Sequence, residues 1–164
     1  MSPDELVTEL VDRRYDALLR RAYLLCGDRS TAEDLVQETA IRLLRAARRY
    51  DIEKLDAYAH RTMVNLYVHE ARRRSRAVLA VVEPEPQASE SGLVDERSAI
   101  WTVLQELPRM QRAVLVLRFY EDLTESGIAA VMGVSVGTVR THSARGLAKV
   151  RAALTDSVGE ADGH

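Results

Sequence analysis

The chain has 164 residues, of which 46% are hydrophobic, 29% charged and only 5% aromatic, and its net charge is −2. The apolar fraction excludes a disordered chain, and the scarcity of glycine and proline disfavours an all-β fold, so an all-α protein is expected. A single cysteine excludes a disulfide framework. Because the chain lacks both an apolar run of about 18 residues and a signal-peptide pattern, we expect a cytoplasmic protein without membrane insertion.

Three amphipathic helices are predicted in the first half of the chain. The first begins in a capping box at residues 2–5 and ends at Gly27, and the second begins in a capping box at residues 30–33. The third runs from about Asp56 to Ser75. Apolar side chains recur along all three with a helical period: Leu6, Leu10, Leu18, Ala22 and Leu25; Ala32, Leu35, Val36, Thr39, Ala40, Leu43, Leu44 and Ala47; Tyr58, Ala59, Thr62, Met63 and Leu66.

A segment without helical period divides the chain. Residues 82–92 are rich in Pro, Ser and Glu, which predicts an extended, mobile linker. Residues 83–97 carry five acids against one arginine, so the linker is also acidic. We therefore expect two small helical domains joined by a flexible acidic linker. The predicted boundaries are 1–76 for the first domain, 77–94 for the linker, 95–155 for the second domain and 156–164 for an acidic tail.

The second domain shows the pattern of a helix-turn-helix. Helices are predicted over 95–106 and 108–120, and a short helix over 125–132 is capped by Thr124. Gly133 then breaks the chain, and Ser135 caps a last helix that runs to about Leu154. Small Ala129 allows the two helices of the motif to cross closely.

The last helix presents a cationic face, since residues 135–155 contain no acidic residue. Hydroxyl, cationic and imidazole donors there suit DNA phosphates and base edges in the major groove. The alternative is a helical hairpin with a solvated basic face, which usually mixes charges of both signs. The candidate DNA-reading residues are Ser135, Thr138, Arg140, Thr141, His142 and Arg145.

Two further faces lie on the first-domain helices. Asp34, Gln37, Glu38, Ile41 and Arg45 share a face opposite the leucine stripe, which is either ordinary polar surface or a protein-docking face marked by an exposed isoleucine. A basic face on the third helix suits a nucleic-acid backbone and one readable base, or is a helix end favoured by the macrodipole. Its members are Arg61, Asn65, His69, Arg72 and Arg76, with Arg73 and Arg74 beside them.

No constellation predicts catalysis or a cofactor. The four histidines have no ligand spacing with each other or with Cys26, so no metal site is expected. Cys26 itself is expected to be a small buried residue. There is no glycine-rich phosphate loop and no nucleophile with a supporting base. We expect a binding protein, not an enzyme.

Three motifs, in order, resemble the extracytoplasmic-function (ECF) sigma factors of bacterial RNA polymerase. Residues 32–39, AEDLVQET, are similar to their region 2 signature, and residues 107–115 and 133–140 are similar to their region 4. Residues 61–67, RTMVNLY, resemble the helix that handles the −10 element, closest to the SigE-like group common in actinobacteria. The resemblance covers nearly the whole chain.

The resemblance implies partners and roles. Asp34, Gln37 and Glu38, with Ile41 beside them, match the face that docks on the β′ clamp helices of core RNA polymerase, and the β flap is a second contact. Residues 49–56 match a segment that holds a flipped base, and residues 83–97 match one that threads toward the polymerase active site. The resemblance also implies that promoter DNA is bound at two elements. The candidate donors of the last helix would contact the −35 element. The residues that would contact the −10 element are Arg61, Asn65, His69, Arg72, Arg73 and Arg76. An anti-sigma factor is a further possible partner.

Two other functional classes stay open from the residues alone. A dimeric helix-turn-helix repressor or activator would bind a palindrome tightly without polymerase, and it leaves the motifs of residues 30–76 unexplained. A helical adaptor that binds only protein would show no salt-dependent affinity for DNA.

Overall fold

The computed structural model describes residues 1–77, 93–95 and 98–162, with side chains described as far as Arg73 in the third helix and Asp156 in the last. Over these residues every regular element is helical, which confirms the predicted all-α class. The chain divides into two compact units, Met1–Leu93 (unit 1) and Val94–His164 (unit 2). Most of the predicted linker, residues 78–92, lies outside the described residues. Among the described helices, none combines the length and hydropathy that a membrane span requires.

The described part of unit 1 contains three helices, α1 (Pro3–Cys26), α2 (Arg29–Arg49) and α3 (Leu55–Ala77). The capping box predicted for α1 is confirmed. The Glu5 amide donates to Ser2 Oγ over 3.2 Å, and the Ser2 amide donates to the Glu5 carboxylate over 3.0 Å. Gly27 ends α1 in the left-handed conformation, with φ of 75°, which glycine adopts without steric cost.

The predicted start of α2 is wrong by two residues. Asp28 is the N-cap, and its Oδ2 accepts hydrogen bonds from the amide of Thr31 (2.9 Å) and from its hydroxyl (2.7 Å). Glu33, expected to close a capping box, instead accepts from Arg29 over 3.0 Å. Asp28, two residues before the predicted cap Ser30, accepts the hydrogen bond from the first-turn amide of Thr31. Ser30 therefore lies exposed within the first turn of α2.

The core of unit 1 forms where the apolar stripes of its helices meet. Val7, Leu10, Leu43 and Ala59 form one buried cluster across α1, α2 and α3. The stripe of α1 passes through Val7, which is 1% exposed, and not through the predicted Leu6, which is 43% exposed. Cys26 is half-buried at the end of α1, so it is less enclosed than expected.

A histidine lies in the contact between α1 and α3. His60 is half-buried, and its Nδ1 lies 2.7 Å from Arg21 Nη1. Because a guanidinium only donates, Nδ1 must be the unprotonated acceptor, and the imidazole is neutral. Burial, and then the positive charge of Arg21, lower the pKa of His60 to about 4. The nearby Asp56 carboxylate acts in the opposite direction but does not offset them.

Unit 1 should therefore lose stability as the pH falls from about 6.5 toward 4. The unfolded state binds a proton on His60 near pH 6.5, whereas the folded state resists it until about pH 4. After discounting for the partial exposure of the ring, we expect a loss of about 1–2 kcal/mol, measured by urea unfolding followed by circular dichroism. His60→Gln should remove this loss between pH 6.5 and 5, and His69→Gln, an exposed control on α3, should retain it. An equal pH dependence in both variants would contradict the assignment.

Unit 2 contains α4 (Ala99–Glu106), α5 (Arg109–Leu115), a π-helical turn (Val116–Tyr120), α6 (Glu125–Met132) and α7 (Val136–Asp162). The regular part of α4 begins later than predicted, because the Ser98 hydroxyl caps the Trp101 amide over 3.1 Å. The helix predicted over 108–120 ends in the π-helical turn. The last helix continues to Asp162, well past Leu154, so most of the predicted acidic tail is helical.

Two buried features hold unit 2 together. Arg112 is 6% exposed, and its guanidinium donates to the carbonyl oxygens of Leu104 (2.6 Å), Gln105 (2.8 Å) and Leu107 (3.4 Å) at the end of α4. Gly146 lets α7 approach α5 closely, since a Cβ there would lie 3.0 Å from Leu115 Cδ1. The side chains of Val103, Leu107 and Leu115 form a buried cluster against Leu147, Val150 and Ala153 of α7.

Candidate nucleic-acid interface

A groove of about 830 Å³ opens between the C-terminal half of α2 and the middle of α3 in unit 1. Four arginines of α2 line one side, and polar and aromatic side chains line the other. No carboxylate is among its described lining residues, so the lining of the groove is cationic. Its lining residues are Arg42, Arg45, Ala46, Arg48, Arg49, Tyr50, Tyr58, Thr62, Asn65, Leu66 and His69.

The structure brings only some of the predicted −10 residues together. Asn65 and His69 are exposed and line the groove. Arg61 and Arg73 are exposed elsewhere on α3, and Arg73 donates twice to Glu70, over 3.0 and 2.8 Å, which raises the pKa of Arg73. Arg72 is half-buried. The side chains of Arg74 and Arg76 lie outside the described residues.

Two of the groove arginines are already paired. Arg48 donates to both carboxylate oxygens of Asp4, over 2.8 and 2.7 Å, and this hydrogen bonding lowers the pKa of Asp4 and raises that of Arg48. Arg42 forms an ion pair with Glu38, with 3.3 Å between Nε and Oε1. In the part of the chain that the structure describes, no ion pair forms at Arg45 or Arg49. These two guanidiniums are therefore the charges most available to a phosphate.

The groove between the α2 arginines and α3 was not predicted from the sequence. Arg42, Arg48, Tyr58 and Thr62 were not among the candidates, because the groove depends on how two helices pair. The spacing of arginines at 42, 45, 48 and 49 would have been the signal, since positions three and four apart share one helix face.

The predicted docking face of α2 is exposed as a whole. Asp34, Gln37 and Glu38 are exposed, and Ile41 is 43% exposed beside them. The opposite side of the same helix is buried through Ala32, Val36, Thr39 and Leu43. An aliphatic side chain among acids on a rigid helix is a surface suited to a basic protein partner.

The helix-turn-helix of unit 2 is built from local signals and a small core. Thr124 caps α6 by accepting from the Gly127 amide over 3.0 Å, and Gly133 ends α6 with φ of 65°. Ser135 caps α7 by accepting from the Thr138 amide over 3.1 Å. Ile128, Ala129, Met132 and Val139 are buried between the helices. The start of α7 is thereby held at the surface.

The exposed face of α7 carries most of the predicted −35 residues. Arg140, Thr141 and Arg145 are exposed, and Thr138 is half-buried with its hydroxyl 2.9 Å from that of Ser135. Arg140 donates from Nε to Glu125 Oε2 over 2.7 Å, which links the recognition helix to the first helix of the motif. The Thr141 hydroxyl donates a hydrogen bond to the Gly137 carbonyl oxygen over 3.0 Å.

His142 differs from the expected outward projection. The residue is half-buried, and its Nδ1 is buried without a hydrogen-bond partner among the described atoms. Burial, and then the charge of Arg145, lower its pKa. The position follows from helix geometry, since His142 lies three residues after buried Val139 and next to buried Ser143. The imidazole therefore lies at the edge of the exposed α7 face, not at its centre.

Two aromatic rings stand out on the π-helical turn. Phe119 is 58% and Tyr120 45% exposed. Arg118 lies over the Phe119 ring, 5.3 Å from its centroid, and donates to the buried Ser143 hydroxyl of α7 over 2.6 Å. The turn is therefore anchored to the recognition helix while its rings face solvent, which is typical of a protein-docking surface.

Among the described residues, no three His, Cys, Asp or Glu side chains are grouped so that they could hold a metal ion. The polar surfaces that the structure does assemble are the groove, the α2 face and the α7 face. All three are suited to binding charged macromolecules.

Comparison with known proteins matches the two units separately. Residues 10–77 match the family model of sigma-70 region 2, and residues 97–150 match that of sigma-70 region 4. The groove and the α2 face lie in the first match, and the helix-turn-helix lies in the second.

Relatives match over most of this chain. It is 36% identical over 157 residues to the ECF RNA polymerase sigma factor SigE of Mycolicibacterium smegmatis, which covers 90% of this chain but 60% of that protein. It is 35% identical over 153 residues to the RNA polymerase sigma-E factor of Streptomyces coelicolor, covering 89% of this chain and 84% of the relative.

A solved structure has a similar fold. The sigma factor RpoE of Bartonella quintana, crystallised with the anti-sigma factor NepR, superposes with a TM-score of 0.65 at 21% identity, covering 90% of this chain and 96% of that one. The family indicated by the sequence motifs is confirmed: this chain belongs to the extracytoplasmic-function RNA polymerase sigma factors.

Proposed function

We propose that the chain binds core RNA polymerase in the cytoplasm and directs promoter-specific initiation by recognising −10 and −35 elements. It acts by binding, and the polymerase supplies the catalysis. The carrying observation is that each unit presents its own exposed cationic surface, the α2–α3 groove in unit 1 and the acid-free start of α7 in unit 2. Two such surfaces suit a protein that meets DNA at two separated elements.

The groove of unit 1 is proposed to hold the melted −10 strand. Arg45 and Arg49 would contact phosphates, and Asn65 offers both a donor and an acceptor to the edge of one base. Tyr50, Tyr58 and His69 supply rings for stacking an unstacked base within the groove. Flipping a base costs a few kcal/mol, which these contacts would offset.

The start of α7 is proposed to read the −35 duplex in the major groove. Arg140, Thr141 and Arg145 are exposed on one side of the helix, and Ser135 lies at its N-terminus, where positive dipole and free amides favour a phosphate. A bidentate arginine contact to guanine is the commonest specific contact of this kind.

The α2 face and the π-helical turn are proposed as the two contacts with core polymerase. Asp34, Gln37, Glu38 and Ile41 would meet the β′ clamp helices, and Phe119 and Tyr120 the β flap. An anti-sigma factor that covers either the α2 face or the α7 face would block polymerase or DNA binding.

The proposal is tested by run-off transcription with core polymerase and a pool of genomic promoters. We expect transcripts from a subset of promoters that share −10 and −35 sequences, only when the chain is present. A chain that yields no specific transcript, or that binds a palindrome tightly without polymerase, would overturn the proposal in favour of a different class of regulator.

Reversing one charge on the α2 face should weaken docking. Glu38→Arg is expected to reduce affinity for core polymerase about tenfold. The change removes the carboxylate that pairs with Arg42 and places a positive charge toward the basic partner surface. Affinity is measured by titrating labelled chain with core polymerase. Glu9→Arg, the same change at an exposed position of α1, should leave affinity unchanged. Equal affinities of the two variants would remove the α2 face from the interface.

A further inference from the structure

Glu125 forms an ion pair with Arg140 at the surface of unit 2. The pair joins the first residue of α6 to the middle of the α7 reading face, with 2.7 Å between Arg140 Nε and Glu125 Oε2. The Arg140 side chain is 71% exposed and that of Glu125 is 32% exposed. Solvent-exposed ion pairs contribute little to folding stability. The main effect of this ion pair is therefore expected to be on the orientation of the Arg140 guanidinium.

The hydrogen bond fixes which edge of the guanidinium is left for DNA. Arg140 uses Nε for Glu125, and among the described residues its two terminal nitrogens have no acceptor. Those nitrogens form a planar fork of the geometry that pairs with the O6 and N7 atoms of guanine. An exposed arginine without such a partner samples many rotamers, and each immobilised side chain of this length costs binding free energy.

We propose that Glu125 is a positioning residue that holds Arg140 to read one guanine of the −35 element. The inference rests on the proposed function and assigns specificity to a residue of the first helix of the motif, outside the recognition helix. A carboxylate near the DNA also repels phosphates, so Glu125 should increase discrimination between bases without increasing total affinity.

The alternative role of Glu125 is structural, because an acid in the first turn of a helix interacts favourably with its dipole. Two conservative changes separate the roles. Glu125→Asp keeps the charge at the N-terminus of α6 but shortens the side chain by one methylene, so it loses its reach to Arg140. Glu125→Gln keeps the length and an acceptor oxygen but loses the charge.

The experiment is run-off transcription by core polymerase and the full chain on a promoter pool randomised at the −35 element. Arg140→Ala should reduce the guanine preference about tenfold at one position and so identify the base it reads. Glu125→Ala and Glu125→Asp should reduce preference at that position by at least about threefold, and Glu125→Gln should retain most of it. In the Arg140→Ala background, Glu125→Ala should change the profile no further.

Several outcomes would overturn the proposal. One is an unchanged base-preference profile in both Glu125→Ala and Glu125→Asp, and another is an equal loss of preference at every −35 position. A third is an Arg140→Ala variant that keeps the profile of the unsubstituted chain. A fourth is a Glu125→Gln variant that loses the guanine preference while Glu125→Asp retains it. Unfolding curves from Trp101 fluorescence check that all variants fold. Failure of the proposed function is distinguishable, because the unsubstituted chain would then give no promoter-specific transcripts at all.

Discussion

Arg112→Ala should destabilise unit 2 by about 2–4 kcal/mol. The guanidinium serves three carbonyl oxygens at the C-terminal end of α4, and truncation leaves these acceptors without their donor and opens a cavity beside α4. A unit of this size has little stability to lose. The measurement is urea unfolding followed by the fluorescence of Trp101, which is the only tryptophan in the chain and is buried in α4.

Two variants separate the sources of this effect. Arg112→Met removes the same hydrogen bonds but opens a smaller cavity than alanine, so it should give an intermediate loss of stability. Arg151→Ala, at an exposed position of α7, should change stability by no more than about 0.5 kcal/mol. If Arg112→Ala unfolded at the same urea concentration as Arg151→Ala, the carbonyl contacts would be of no consequence for stability.

Gly146→Val should destabilise unit 2 by about 1–3 kcal/mol, although it replaces a glycine within a helix. A Cβ at this position would lie 3.0 Å from Leu115 Cδ1 and 3.2 Å from its Cγ, and valine adds two further methyl groups. Leu115 is itself buried, so its side chain or α7 must move to make room. Trp101 fluorescence again reports the transition.

Gly137→Ala provides the matched control in the same helix. A Cβ there meets only Ser135 Oγ, at 3.8 Å, so the substitution fills open space. Replacing glycine by alanine within a helix should stabilise by about 0.5–1 kcal/mol. Gly146→Val should therefore lower the free energy of unfolding and Gly137→Ala should raise it. If both substitutions raised it, α5 and α7 would be able to move apart without cost.

The helix-turn-helix could be predicted almost to the residue, because local interactions specify it. The hydroxyls of Thr124 and Ser135 each accept a hydrogen bond from an amide three residues later. Gly133 ends α6 by adopting a positive φ. Such local effects can be predicted from the sequence alone. The start of α2 was missed for a related reason. Asp28 and Ser30 are both good capping residues, and only the observed hydrogen bond to Thr31 distinguishes them.

Features that depend on packing between helices were not predictable from the sequence. The α2–α3 groove requires the crossing of two helices, and the buried Arg112 looks in sequence like any surface arginine. The pairing of Arg140 with Glu125 spans 15 residues and depends on the angle of the motif. His142 shows the limit of periodicity, since a residue at the border of a buried stripe turns partly inward.

The length of α7 has a consequence for how promoter choice evolves. Its first turns carry the side chains that are proposed to read DNA, while Leu147, Val150 and Ala153 farther along pack in the core of unit 2. An α-helix of 27 residues is a stiff rod about 40 Å long, so a small tilt imposed at the packed end displaces the reading end. Under the proposed function, selectivity for DNA sequence can therefore change through substitutions in the core of unit 2 that do not contact DNA.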